Sequence, residues 1–445
     1  MSVRVASILR VIVCAAGCTF FGACSSGSPT APVGPSKPPI KHVFTIILEN
    51  QAYDNTFGSV MPVPYLSKTV AAQGALLENY YGTSHFSNGN YLTLISGQAV
   101  TLDAQDDCTD NSANGIPLSV GGSKHVDIVV SGVEAYDQIK GEGCVYPAAT
   151  KTIADQLSAK GLRWKGYMED MGNDSTREAA TCGEPGAGIG APDNTVKEQV
   201  PPTYNEGGSL PIADRYAARH NPFVYFHSLL DSGACAKNVV PLNDKTLPAD
   251  LASVATTPNY VFITPNLCND GHDVPCQMQG SPSTLADENA FLEKWVPIIV
   301  HSSAFQADGL LMITFDESGA ALGTGDGNTS IYDGSSCCNE PSGANTQLPG
   351  LGRLAAFAIA HGQLPPDAYA GTVGHSGGGR TGTILVSPFI KPGTVSTVEY
   401  NHYSNLRTIE DYFGLSHLGY AAYPGTADFG PDVFGSTITA YSPKL

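Results

Sequence analysis

The segment ITFDESG, residues 313–319, sets two carboxylates, Asp316 and Glu317, directly after the apolar run GLLMI (309–313). A run of that length reads as a buried strand of a parallel sheet, and ligands of such sheets bind in the crevice beyond the carboxyl ends of the strands. A paired acid placed there can hold a cation or move a proton. Residues of matching chemistry recur at four other places. Glu49 and Asn50 follow HVFTIIL (42–48), and Ser84, His85, Ser87 and Asn90 lie in YYGTSHFSNGNYLTLISG (80–97). Asp270, His272 and Asp273 lie in PNLCNDGHD (265–273), and His375 and His402 come late. Carboxylate, amide, imidazole and hydroxyl groups converging from different strand ends are what a hydrolytic metal site requires, as ligands and as nucleophile. Each also has a plain structural use. Asn and acids cap helix starts, Ser and Asn make turns, and histidines pack.

The elements that must position these groups are readable from hydrophobic pattern. HVFTIIL and GLLMITF are of strand length and both end in acids; RWKGYME (163–169), NPFVYFHSL (221–229), PNYVFITPN (258–266) and RTGTILVSPFI (380–390) read as further strands. TIADQLSAKG (152–161) reads as a helix closed by Gly161, with further helices over ADENAFLEKWVPIIVHS (286–302) and SNLRTIEDYFG (404–414). Strands alternating with helices predict an α/β fold with a mainly parallel sheet. The irregular stretches 104–147, 172–210 and 320–350 are too long for ordinary connections and are expected to be ordered insertions. No Gly-rich dinucleotide fingerprint stands between a strand and a helix.

Composition narrows the function classes. The 445 residues carry 41 acidic and 23 basic side chains, a net charge of -18, so electrostatic attraction to nucleic acid or an anionic membrane is not expected. A phosphate-bearing ligand would need a local positive charge such as a metal. At the N-terminus Arg4 and Arg10 precede the apolar run VIVCAAGCTFFGA (11–23), too short to span a bilayer. It reads as an export signal over residues 1–23, and Phe21-Gly22-Ala23-Cys24 resembles a lipoprotein cleavage site with the lipid on Cys24; simple secretion is the alternative. Residues 24–40 are rich in Pro, Ser and Gly and read as a tether, with the folded domain over 41–445, expected as a monomer.

Eight cysteines lie beyond Cys24, and in an exported chain an even number points to disulfides. Pairing neighbours along the chain gives Cys108 with Cys144, Cys182 with Cys235 and Cys268 with Cys276. Cys337 and Cys338 are left as a vicinal bridge or with separate partners, since spacing does not fix connectivity.

Several blocks resemble one family. KHVFTIILENQAYDNTFGS (41–59) is similar to the opening signature of the bacterial phosphoesterase family that contains phospholipases C and acid phosphatases: an apolar strand, Glu-Asn, aromatic-Asp, then Phe-Gly. YGTSHFSNGNYLTLISGQ (81–98) resembles the acid-phosphatase pattern His-Pro-Ser-x-Pro-Asn-Tyr, with Phe86 and Gly89 in place of the two prolines. PNLCNDGHD, residues 291–319 and YNHYSNLRTIEDYFGL (400–415) match further blocks in order.

The resemblance implies an alkaline-phosphatase-like three-layer α/β/α sandwich with disulfide-stapled loop insertions and metals at the carboxyl ends of the sheet. It implies Glu49, Asn50, Asp316 and Glu317 as metal ligands, with Asp270 beside them, and His85, His272 and His402 as ligands or acid/base groups. Ser87 aligns with the nucleophile, Ser84 being the fallback, and Asn90 and Arg380 are candidates to contact phosphoryl oxygens. The activity implied is metal-dependent hydrolysis of phosphate monoesters through a phosphoserine, with one or two divalent ions and a small phosphate ester or phospholipid head group as partner. Two other readings stand beside it: a phospholipase C acting on lipid phosphodiesters, and a surface lipoprotein that binds without catalysis.

Overall fold

The computed structural model describes residues 37–58, 63–108, 125–191, 193–195, 214–272, 284–319, 333–346, 348–350 and 376–445. Twelve strands run through them: β1 (His42–Leu48), β2 (Ala75–Leu77), β3 (Tyr80–Tyr81), β4 (Val129–Val133), β5 (Ile139–Glu142), β6 (Trp164–Glu169), β7 (Val239–Leu242), β8 (Tyr260–Thr264), β9 (Gly309–Phe315), β10 (Thr383–Val386), β11 (Thr394–Ser396) and β12 (Tyr400–Asn401). Eight of them form the central sheet in the order β11-β2-β10-β9-β1-β8-β6-β7. Its centre, β9-β1-β8-β6-β7, is parallel throughout, and β10 is antiparallel to both β9 and β2.

Every residue of β1 and of β9 is buried, as expected for strands covered on both faces. Alternate residues of β1 enter different cores. Val43 and Ile47 pack with the Ser87–Ser96, Ile153–Ala159 and His402–Phe413 helices; Phe44, Ile46 and Leu48 pack with the Thr284–Val300 and Ser303–Asp308 helices. The strand period of two thus sorts one apolar run into two layers, and the result is an α/β/α sandwich.

The helix signals are met by their caps. Thr152 and Asp155 form a reciprocal capping box at the start of the Ile153–Ala159 helix, and Asn401 with Ser404 does the same for His402–Phe413, which Gly414 closes at φ 60°. One strand expectation fails. NPFVYFHSL is a 3-10 turn (Pro222–Tyr225) followed by the His227–Leu230 helix. The Asn221 side chain accepts from the Phe223 N–H and Pro222 sits at the first turn, so local capping decides a run whose apolar pattern alone is ambiguous. At the other end of the chain, Ile40, read as tether, is buried in the core, and Lys37 pairs with Asp411 at 2.9 Å and Asp428 at 2.7 Å.

Disulfides join Cys108 to Cys144, Cys182 to Cys235, and Cys337 to Cys338 as a vicinal bridge. Cys268 is also disulfide-bonded; Cys276, its expected partner, lies outside the described residues, as do the export segment with Cys24, and Asp273 and His375. Among the described residues no helix is long and apolar enough to cross a membrane.

Candidate active site

The register of β1 on β9 pairs Leu48 with Phe315, so Glu49-Asn50 and Asp316-Glu317 leave the sheet side by side. Backbone bonds extend the ladder past the strands: Asp316 N–H donates to the Leu48 carbonyl and Glu49 N–H to the Asp270 carbonyl, each at 2.9 Å. Glu49, Asp270, Asp316 and Glu317 are all buried. Burial, and next the charge of Glu317, push Asp316 well above the usual carboxylate range.

Ser87 opens the Ser87–Ser96 helix, whose dipole favours an anion and whose Asn88 N–H already donates to Asp107 Oδ1 at 2.9 Å. Its Oγ donates to Glu49 Oε2 at 2.7 Å. Phe86, immediately before it, adopts φ 69° and ψ 137°, a conformation rare outside glycine, and its N–H donates to Glu317 Oε2 at 3.1 Å. Gly89, where the resembled pattern has proline, lies where a Cβ would come within 2.6 Å of Val100 Cγ2 and 2.7 Å of Ser84 Oγ. A side chain there would have to displace Val100 or Ser84. Ser84 Oγ is buried and makes no hydrogen bond, which leaves Ser87 as the one of the two serines joined to the acids.

The imidazoles divide by their partners. His85 Nδ1 meets Glu317 Oε2 and its Nε2 lies 3.0 Å from the Asp333 carbonyl; burial opposes its charged form, but Glu317 and that carbonyl raise its pKa overall. His402 is fully buried between the Tyr80 hydroxyl (3.0 Å) and the Asp316 carbonyl (2.5 Å), and burial lowers its pKa to about 4. It braces the Asp316 backbone as a neutral ring. His272 is exposed; its backbone N–H donates to Asp270 Oδ1 at 2.9 Å. The Asn50 amide, oriented by its neighbours, accepts from His272 Nδ1 at 3.0 Å and donates to Asp316 Oδ1 at 3.0 Å.

Two residues expected near the phosphoryl oxygens are engaged elsewhere. Asn90 Oδ1 accepts from the N–H groups of Thr83 (2.9 Å) and Ser84 (3.1 Å), and its Nδ2 donates to the carbonyls of Ser84 (2.8 Å) and Phe86 (3.2 Å), so it organises the loop before Ser87. The Arg380 guanidinium lies 3.8 Å over the Tyr53 ring, and its Nε donates to the Glu78 carbonyl at 2.7 Å.

Two others were missed. The Tyr91 hydroxyl donates to Glu49 Oε1, and His220, stacked on the Tyr91 ring at 5.2 Å, brings Nε2 within 3.4 Å of Glu49 Oε2. Tyr91 is four residues after Ser87, hence on the same helical face, a signal present in the sequence. His220 carried none: it ends a 3-10 turn far along the chain.

Carboxylate, amide, imidazole and hydroxyl oxygens and nitrogens form a donor set that suits a hard divalent cation, and the buried like-charged Asp316-Glu317 pair favours one. Among the described residues, however, no three His, Cys, Asp or Glu side chains close around a single point.

A family model described as the Phosphoesterase family matches residues 59–416. The chain belongs to that family. The chain is 24% identical over 379 residues to a probable acid phosphatase of Kluyveromyces lactis, covering 85% of the chain and 59% of the relative. It is also 24% identical over 276 residues to an acid phosphatase of Aspergillus fumigatus, covering 62% and 44%. A phosphatidylinositol-3-phosphatase of Mycobacterium tuberculosis matches at 20% identity over 86% of this chain and 80% of its own length. The chain thus spans about half the length of the fungal relatives. Among solved structures, an alkaline-phosphatase-superfamily protein from Vibrio parahaemolyticus matches with a TM-score of 0.40 at 10% identity, over 86% of this chain and 68% of its own.

Proposed function

We propose that this chain hydrolyses phosphate monoesters with Ser87 as nucleophile. The observation that carries the reading is the Ser87 hydroxyl at a helix N-terminus, donating to a buried carboxylate, Glu49, that can take its proton. Ser87 Oγ attacks phosphorus, the P–O bond to the alcohol breaks, and the leaving oxygen takes a proton. His272 is the donor best placed for it, since it is exposed while both ring nitrogens of His85 and of His402 already have partners. Water then attacks the phosphoserine and releases phosphate and the free hydroxyl.

A divalent metal, held by Glu49, Asn50 and Asp316 with Glu317 and Asp270 adjacent, would supply positive charge to the phosphoryl oxygens and favour the ionised Ser87 hydroxyl. The names of the fungal relatives favour a monoester, and that of the mycobacterial relative favours a phosphorylated lipid head group among the monoesters. Export, with the lipid anchor on Cys24, belongs to the same proposal, and the described disulfides fit an oxidising compartment.

The test is 4-nitrophenyl phosphate hydrolysis by the wild type, by Ser87→Ala, and after exhaustive chelation, with phosphatidylcholine as the diester alternative. Activity in the wild type that vanishes in the variant supports the reading. Full activity in Ser87→Ala removes Ser87 as nucleophile, full activity after chelation removes the metal, and preference for phosphatidylcholine replaces the monoester.

A further inference from the structure

Away from the strand ends, an open pocket of about 560 Å³ is lined by Tyr136, Cys338, Asn339, Glu399, Tyr423 and Gly425 among others, a volume within the range of small-molecule sites. None of the residues lining it belongs to the site around Ser87. Three of those named are non-glycine residues in the left-handed region: Tyr136 at φ 61°, Cys338 at φ 74° and Asn339 at φ 63°. Each such residue is held against its own preference, and residues of this kind cluster where a ligand or a switch acts. Here they come from two separate segments and meet at one surface.

That surface is tightly specified. The Cys337–Cys338 bridge stiffens one side, and Gly425 sits so close beneath it that a Cβ would lie 2.8 Å from the Cys338 carbonyl oxygen. On the other side the rings of Tyr136 and Tyr423 stand 5.7 Å apart at 68°, with the Tyr420 ring behind them at 5.8 Å and 6.4 Å. The two rings meet edge to face, a corner in which the faces of the ring standing on edge stay uncovered by its partner, and their quadrupole attracts a positive charge.

The charges agree. The lining holds the carboxylate of Glu399 and neither Lys nor Arg, and among the described residues no cation lies within ion-pair distance of Glu399. Glu134, nearby, is already paired with Lys140 at 3.3 Å. Burial, and next the charges of Glu134 and Glu340, push the Tyr420 hydroxyl up to about 12, as expected beside a region of negative potential. A metal ion would find one carboxylate, one amide and two phenol rings, a poor donor set; a cation with an apolar skin matches both the rings and the acid.

We propose that this pocket binds an organic ammonium cation, with the charged nitrogen in the corner of Tyr136 and Tyr423 and Glu399 at its edge. It stands independently of the chemistry proposed for Ser87.

The experiment titrates the whole chain with choline chloride by calorimetry, beside the neutral carbon isostere of choline in which carbon replaces nitrogen. Choline should bind saturably with a Kd on the order of 1 mM, and the isostere should not. Tyr423→Leu should weaken choline by about ten-fold, the loss of one cation–π face. Glu399→Gln should weaken it by about three-fold, an effect that added salt removes from the wild type. Equal binding of the isostere overturns the charge recognition. Absence of saturable choline binding, or unchanged binding in both variants, overturns the site. Should Tyr423→Leu fail to fold, the exposed Glu399 still decides the placement through its own variant.

Discussion

β1 and β6 end alike. The first runs into Glu49-Asn50 and the other closes in Glu169-Asp170, the glutamate buried in the first and half-buried in the second and the next residue left-handed in both, Asn50 at φ 42° and Asp170 at φ 64°. Their neighbours differ. Glu49 receives a serine hydroxyl and a tyrosine hydroxyl and has an imidazole at 3.4 Å. Glu169 Oε2 receives the Asn266 N–H at 3.0 Å and the Asn269 amide at 2.9 Å, while Asp170 Oδ2 receives the Asn266 amide at 2.8 Å. Groups that can give up a proton surround one acid; groups that cannot surround the other. An acid pair at the carboxyl end of a strand is therefore an invitation to chemistry, and the donors bonded to it decide whether it is taken up. Perturbed acidity does not separate them, because burial raises Asp316 at one end and lifts Glu169 to about 7 at the other.

The comparison breaks most visibly at Ser87. Ser87→Ala should lower kcat on phosphate monoesters by ~10³-fold or more, whereas Ser84→Ala, which removes a hydroxyl bonded to nothing, should leave turnover near wild type. Next comes the exchange of the two glutamates for their amides. Glu49→Gln should cost about 10²- to 10³-fold in kcat, the loss of a proton acceptor, and Glu169→Gln should leave kcat/KM unchanged. Equal losses at both positions in steady-state assays would erase the distinction.

Glu169 should show itself in stability. Its folded pKa, about 7, lies above its ordinary value of 4.5, so the folded state binds the extra proton between those limits and stability falls as pH rises through that window. The full effect is on the order of 3 kcal/mol, and Glu169→Gln should flatten that part of the curve of melting temperature against pH. The smallest effect is at Asn269: its replacement by Ala removes one amide bond to Glu169, which should cost about 1 kcal/mol in denaturant unfolding without touching turnover.

The sequence revealed those parts of the site that continue a strand. β1 and β9 announce themselves as apolar runs, their acids follow without a gap, and the Leu48–Phe315 register does the rest. Ser87 was singled out by the resemblance of its local pattern to the family's, two described disulfides followed chain order, and the Cys337–Cys338 bridge is one of the two alternatives that spacing left open. What stayed hidden is what depends on tertiary approach. His220 reaches Glu49 from a segment whose apolar run looked like a strand, and nothing in spacing predicts stacking on Tyr91. Asn90 and Arg380 were read for their chemistry, but backbone carbonyls and an aromatic ring claimed their side chains first. Polar side chains near a site are as often its scaffolding as its tools.

That scaffolding has a consequence in time. The amides of Thr83 and Ser84 belong to a loop by shape, yet both donate to Asn90, a residue inside the Ser87–Ser96 helix. Their exchange with solvent deuterium is then governed by the unwinding of that helix and not by loop fluctuation. The segment that precedes Ser87 should exchange at the slow pace of a helix.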